Sequence, residues 1–255
     1  MKHIYKLSIV LLSVFTFIGC NVDDDDQMMV YPTKNISAEL AVQRNIFAVP
    51  DNATSYDLLI NFSEPLPSYS SIEYSLDGGA KTSVSASTGD SSVTISVPFD
   101  TDDNFHVVDF SDFIIVNSQA RRFNTSFEGN TTATLVRAGY FKATITWEDP
   151  SNDIDFGIQP MTSSWVDTYN WLDTSLGITN LETLEASLDD GNYAILAAFY
   201  TSPTDVNVNY ALQTSAGEFS FELLTSEDFA NILWFTKSTD VDGNVSYTFY
   251  TQDPS

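Results

Sequence analysis

The sequence predicts an all-β protein built as two β-sandwiches. Three observations carry that expectation: apolar residues alternate with polar ones in segment after segment, Asp-Gly and Gly-Gly turns punctuate those segments, and helical periodicity is scarce. The chain has 255 residues, 43% of them hydrophobic. That length and composition suffice for two ordinary cores.

Taken in order, strands are expected over Tyr56 to Phe62, Lys81 to Ser87, Ser92 to Phe99, His106 to Val116, Tyr140 to Glu148, Tyr193 to Tyr200, Val206 to Gln213, Glu218 to Leu224 and Val245 to Thr251. The clearest are "SVTISVPF", with Val93, Ile95, Val97 and Phe99 on one face, and "YFKATITWE", with Phe141, Ala143, Ile145 and Trp147 on one face. Each asks for a core on one side only. Asp77-Gly78-Gly79, Asp190-Gly191 and Asp242-Gly243 supply the positive backbone angle of tight turns. Only Ser226 to Ile232 reads as a short helix, with Ser226 as its cap.

Ahead of the strands, Lys2, His3 and Lys6 precede an apolar run from Leu7 to Ile18, the pattern of a secretory signal and too short to span a bilayer comfortably. The run ends at Gly19-Cys20, and "FIGC" resembles the lipobox of bacterial lipoprotein signal peptides. That resemblance implies cleavage before Cys20 and lipid attachment to it. Cys20 is the chain's one cysteine, so disulfides within the chain are excluded, and the acylation that the resemblance implies removes its thiolate chemistry as well. Asp23, Asp24, Asp25 and Asp26 follow as a self-repelling spacer. An acidic run directly after the lipidated cysteine also resembles the export signal of Bacteroidetes surface lipoproteins, which implies an outer-membrane protein facing the cell exterior.

The expected organisation is therefore a signal peptide over 1–19, a lipidated acidic tether over 20–36, a first sandwich over 37–137 and a second over 138–255. Strand number and spacing make the first half immunoglobulin-like. A single jelly roll across both halves is the competing arrangement. In the second half, "ATITWEDPSNDIDFGI", "LDDGNYAILAAFY" and "VNVNYALQT" are similar to prepeptidase C-terminal domains and related secreted jelly rolls. Trp147, Asp153, Asp155, Gly191, Tyr193, Tyr210 and Leu212 fall in that family's order, interrupted by an insertion from Met161 to Glu182.

Thirty-five acidic residues stand against ten basic ones, a formal net charge of −25, so nucleic acid is excluded as a partner. Asp153 and Asp155 project from one face of a strand, where calcium would relieve their repulsion with help from Glu148 or Asp149; a solvated outer face fits the same spacing. Asp240 to Asn244 resembles half a calcium loop and equally a plain hairpin turn. His106 is the one histidine beyond the leader, and no nucleophile elbow or His-Glu-x-x-His accompanies it, which leaves it a structural role. In "WVDTYNW", Trp165, Tyr169 and Trp171 either stack on sugar rings or plug the open end of the sandwich.

These readings point to a non-enzymatic surface lipoprotein, anchored to the membrane by its lipid and binding an extracellular glycan or protein ligand through Trp165, Tyr169 and Trp171. No cofactor is required, with calcium as the candidate ion. The alternative is an adhesin or an accessory subunit of an outer-membrane complex.

Overall fold

A computed structural model describes residues 33–100, 102–116, 123–168, 170–177, 179–201, 205–225 and 231–254. The leader, Cys20 and the four aspartates lie outside the described residues. Among those described there are eighteen strands and no helix.

The first half holds β1 (Lys34–Leu40), β2 (Ile46–Val49), β3 (Ser55–Phe62), β4 (Ser70–Leu76), β5 (Lys81–Ala86), β6 (Ser92–Pro98), β7 (Phe105–Ile115), β8 (Phe123–Glu128) and β9 (Thr132–Arg137). They form two sheets, ordered β6-β3-β1-β8 and β2-β9-β7-β4-β5. Alternation decides which residues enter the space between: Ile36, Ala38 and Leu40 of β1, Leu58 and Ile60 of β3, and Ile95 and Val97 of β6 are all buried. Phe62 stacks on Phe113 across the core, ring centroids 5.3 Å apart.

The immunoglobulin-like character lies in two parallel pairings. β1 runs parallel to β8 in one sheet, and β2 runs parallel to β9 in the other. Both chain segments therefore change sheets at the same level, and Gln43 pins the two crossings together. Its Nε2 donates to the Leu40 carbonyl at 2.6 Å, and its Oε1 accepts from the Asn130 amide at 3.3 Å. Gly129, at φ +70°, sits where a Cβ would collide with the Gln43 amide.

The second half holds β10 (Tyr140–Trp147), β11 (Asp153–Met161), β12 (Asp173–Ser175), β13 (Leu181–Ser187), β14 (Gly191–Thr201), β15 (Val206–Thr214), β16 (Gly217–Thr225), β17 (Asn231–Thr239) and β18 (Val245–Tyr250). Its sheets are ordered β13-β10-β15-β16 and β12-β11-β14-β17-β18, all pairs antiparallel. Phe141, Tyr193 and Phe235 form a stacked aromatic line through this core, at 5.1 and 5.3 Å. Tyr210 is buried with no partner for its hydroxyl, and burial pushes its pKa up.

Three local expectations change. Strand begins at Lys34, inside the expected tether, because Ile36 already enters the core. Residues 226–230 of the expected helix lie outside the described residues, while Asn231 and Ile232 belong to β17, where Ile232 pairs with Leu196. Gly78 and Gly243 take positive φ, at +67° and +80°, and Asp77 joins them at +52°; Gly191 instead opens β14 in ordinary extended backbone.

Between the halves stands Arg137, the last residue of β9 and 6% exposed. All five of its N–H groups have a carbonyl to meet. Nε donates to Asp103 at 3.2 Å, Nη1 to Pro50 and Ala53 at 3.0 and 2.7 Å, and Nη2 to Phe99 and Asp100 at 3.5 and 2.6 Å. The guanidinium also lies 4.4 Å over the Phe99 ring. Lysine has neither the fork nor the number of donors, so Arg137→Lys is expected to cost about 2–4 kcal/mol. Urea unfolding checks this: the midpoint falls while the slope stays constant.

Candidate functional site

β11 delivers the second half's most unusual side chains. Its even positions, Ile154, Phe156 and Ile158, are buried in the core, so Asp153, Asp155, Gly157, Gln159 and Met161 face outward. Asp153 and Asp155 do share one face. Burial raises the Asp155 carboxyl above the ordinary aspartate range, and the charges of Asp153 and Glu182 raise it further. One Asp153 oxygen is buried without a partner.

Glu182, the third carboxylate, went unnoticed in the sequence. It lies on β13 opposite Ile145, facing the core edge, and is 2% exposed. One oxygen accepts from the Ser175 hydroxyl, the other is unpartnered, and Gly177 leaves the room it occupies. Asp149 does not join these groups. It accepts from the Ser151 amide at 2.9 Å and hydroxyl at 2.7 Å, and those bonds hold its carboxyl low. Among the described residues no group of three or more His, Cys, Asp or Glu converges on a metal position.

The aromatic segment folds back over the outer face of the same sheet, not across the open end of the sandwich. Thr162 receives Asn192 Nδ2 on its carbonyl, Asp167 bridges to Met161, Thr168 donates to the Pro160 carbonyl, and the Leu172 amide donates to Ile158. These contacts run along β11 and cover Gln159, which is buried. Trp171 then meets Gly157: its ring carbons lie 2.6 and 2.7 Å from where a Cβ would stand. Only glycine admits the indole here, and the Trp171 side remains 47% exposed.

Trp165 adopts φ +58°, a backbone region costly for a bulky residue. A tight turn holds it there, with the Trp165 amide on the Thr162 carbonyl at 2.9 Å and the Val166 amide on Thr162 Oγ1 at 3.0 Å. The consequence is an edge-to-face contact with Tyr250 at 5.4 Å. Tyr250 is the cross-strand partner of Trp234, and both occupy outward positions beside buried Leu233 and Phe235. Trp165, Trp171, Trp234 and Tyr250 are thus carried by one sheet face. Tyr169 lies outside the described residues.

The remaining candidates are fasteners. His106 presents Nδ1 to Asp77 at 2.6 Å and Nε2 to Asp103 at 3.0 Å, tying the β4–β5 turn to the loop before β7, with no nucleophile among these contacts. Asp240 accepts from the Asp242 amide, the Asn244 amide and Asn244 Nδ2 at 2.8 to 2.9 Å, which closes the hairpin turn and holds its carboxyl low.

No family model matches the chain, and no curated protein matches it. Solved structures similar to it include the apo form of the Calx CBD1 domain, at 13% identity and a TM-score of 0.30, covering 40% of this chain and 95% of that one. CBD12 from CALX1.2 is similar at 8% identity and a TM-score of 0.30, covering 68% and 80%. The calcium binding domain CBD12 of CALX1.1 follows at 10% and 0.26, covering 63% and 76%.

Because the raised Asp155 carboxyl binds its proton more tightly in the folded state, its contribution is full below the unfolded value and is lost as pH rises through the folded one. Asp155→Asn removes that loss. The melting temperature of the variant relative to the parent is expected to rise from about pH 4 upward and then level off. Thermal scans at successive pH values check it, and a difference independent of pH contradicts the assignment.

Proposed function

We propose that the protein is a lipid-anchored, non-catalytic binding module of the cell surface, and that its second sandwich takes glycans on the outer face of the β12-β11-β14-β17-β18 sheet. The observation that supports this most is the grouping of Trp165, Trp171, Trp234 and Tyr250 on that one face. Aromatic rings offer apolar area to the C–H faces of sugars, and a sheet with a folded-back loop fixes them before binding, which lowers the ordering cost. Asp173 accepts the Thr174 and Glu185 amides at 2.9 and 3.0 Å, which fixes its carboxylate against β12 and β13.

Calcium is the companion proposal. Asp153 and Asp155 would hold the ion, with the uncommitted Asp153 oxygen and the repulsion felt by Asp155 as its support. Its role would be to neutralise the rim of the aromatic face. The anchor and address rest on Cys20 and on Asp23, Asp24, Asp25 and Asp26.

A glycan array probed with the chain beginning at Gln27 is expected to give signals that Trp171→Ala lowers several-fold, up to about tenfold, since one lost stacking ring is worth roughly 0.5–1.5 kcal/mol. An array blank for the parent, or one unmoved by Trp171→Ala, removes the glycan reading. Millimolar calcium is expected to raise the parent's melting temperature and to leave Asp153→Asn and Asp155→Asn unmoved. In cells, Cys20→Ser is expected to abolish incorporation of labelled palmitate, while alanine at Asp23 to Asp26 keeps the label and loses accessibility to external protease. Label retained by Cys20→Ser contradicts the anchor.

A further inference from the structure

The two arginines at the junction of the sandwiches differ in one decisive respect. Arg137 has a carbonyl for every N–H, whereas Arg44, between β1 and β2, has an acceptor among the described residues for one: its Nη1 donates to Asn244 Oδ1 at 2.8 Å. Arg44 Nε is buried with no partner. Its guanidinium is nonetheless held in place, 4.7 Å over the Phe47 ring. The buried Nε is closed to a ligand, but Nη2 is not buried and has no acceptor among the described residues, so a ligand in reach can supply one.

The surroundings say which ligand. Arg44 lines a cleft of about 470 Å³ between the halves, with Gln43, Asn45, Asn130, Ser215 and Asn244 among its walls. No carboxylate lines it, in a chain with 35 acids. Asp240, whose carboxyl the charge of Arg44 helps to lower, is committed to the Asn244 turn. Gln43 is likewise spent on the strand crossings. The side chains of Asn45 and Asn130 have no such commitment among the described contacts. A lone guanidinium matches one carboxylate, and free carboxamides match hydroxyl groups. The volume falls within the range of ligand pockets.

We infer that this junction cleft is a second binding site, separate from the aromatic face, for a carboxylated sugar of the uronic acid class. Arg44 takes the carboxylate, and Asn45 and Asn130 take ring hydroxyls. Titration calorimetry of the purified full chain with trigalacturonic acid and with its methyl ester tests this, because the ester keeps the hydroxyls and loses the charge. The acid is expected to bind at least about tenfold more tightly than the ester, as a charge-assisted hydrogen bond would give. Arg44→Gln is expected to erase that ratio. Asn45→Ala and Asn130→Ala, whose side chains hold nothing in the fold, weaken both forms with unchanged melting temperature. Lys34→Gln removes a distant surface charge and leaves the ratio intact. Equal binding of acid and ester, no binding of either, or a ratio that survives Arg44→Gln overturns the inference.

Discussion

The buried guanidinium of Arg137 is the constraint on which the junction depends. An unpaired charge in a protein interior costs several kcal/mol, and here no carboxylate relieves it through a direct bond. Five carbonyl dipoles do so instead, contributed by the turn at Pro50 and Ala53 and by the loop at Phe99, Asp100 and Asp103. Those two loops close the lower end of the first sandwich. Arg137 immediately precedes the Ala138-Gly139 link, which is held from both sides: Asp51 of the first loop accepts the Gly139 amide at 2.9 Å, and Ser215 of the second sandwich donates to the Ala138 carbonyl at 2.9 Å. One side chain thereby sets the loop geometry that both halves lean on.

The acid excess acquires a local meaning from the same perspective. Many aspartates accept backbone amides and so fasten loops: Asp77 takes Val107, Asp90 takes Ser87, Asp103 takes Asp100, and Asp190 takes Thr239. Asp190 also meets Lys237, which is buried at the end of the second core. Burial alone would raise the Asp190 carboxyl, but the bonds from Lys237 and Thr239 outweigh it and hold it low. At Asp240 both oxygens are engaged in this way, by the Asp242 and Asn244 amides and by Asn244 Nδ2, all within one turn. Spacing such as Asp-x-Asp-Gly therefore marks a turn at Asp240 and leaves the ion question to Asp153 and Asp155.

How far the sequence could be read depended on whether a strand has one apolar face or two. β6 and β10 expose one face, so their alternation announced both strand and orientation. β8, "FNTSFE", and β4, "SSIEYSL", carry too few large apolar residues for the period to stand out, and β8 pairs with β1 from the far end of the first half. β12 was hidden inside what reads as an insertion, because it is only three residues long, and β13 starts at the end of that insertion with Leu181 exposed and Glu182 buried, against the usual pattern. The candidate site was half legible for the same reason. Trp165 and Trp171 stood out among polar neighbours, whereas Trp234 sits in "NILWFTKST", where both parities are apolar and neither can be assigned outward without the sheet.

That ambiguity has a functional consequence, because a strand apolar on both faces must bury one in the core and leave the other to something else. In β17 the core takes Leu233 and Phe235, so Ile232 and Trp234 are left on the outer face. The residues after β11 cover part of that face, with the Thr162 carbonyl meeting Asn192 of β14 and Trp165 reaching Tyr250 at the far edge. What remains is a half-covered aromatic surface with its rings already immobilised. Large apolar area kept out of the core costs solubility, and a net charge of −25 offsets that cost by keeping copies apart. Acidic repulsion and a half-covered aromatic face are therefore compatible properties: like charge on every copy opposes contact through the apolar area that the second core leaves outside.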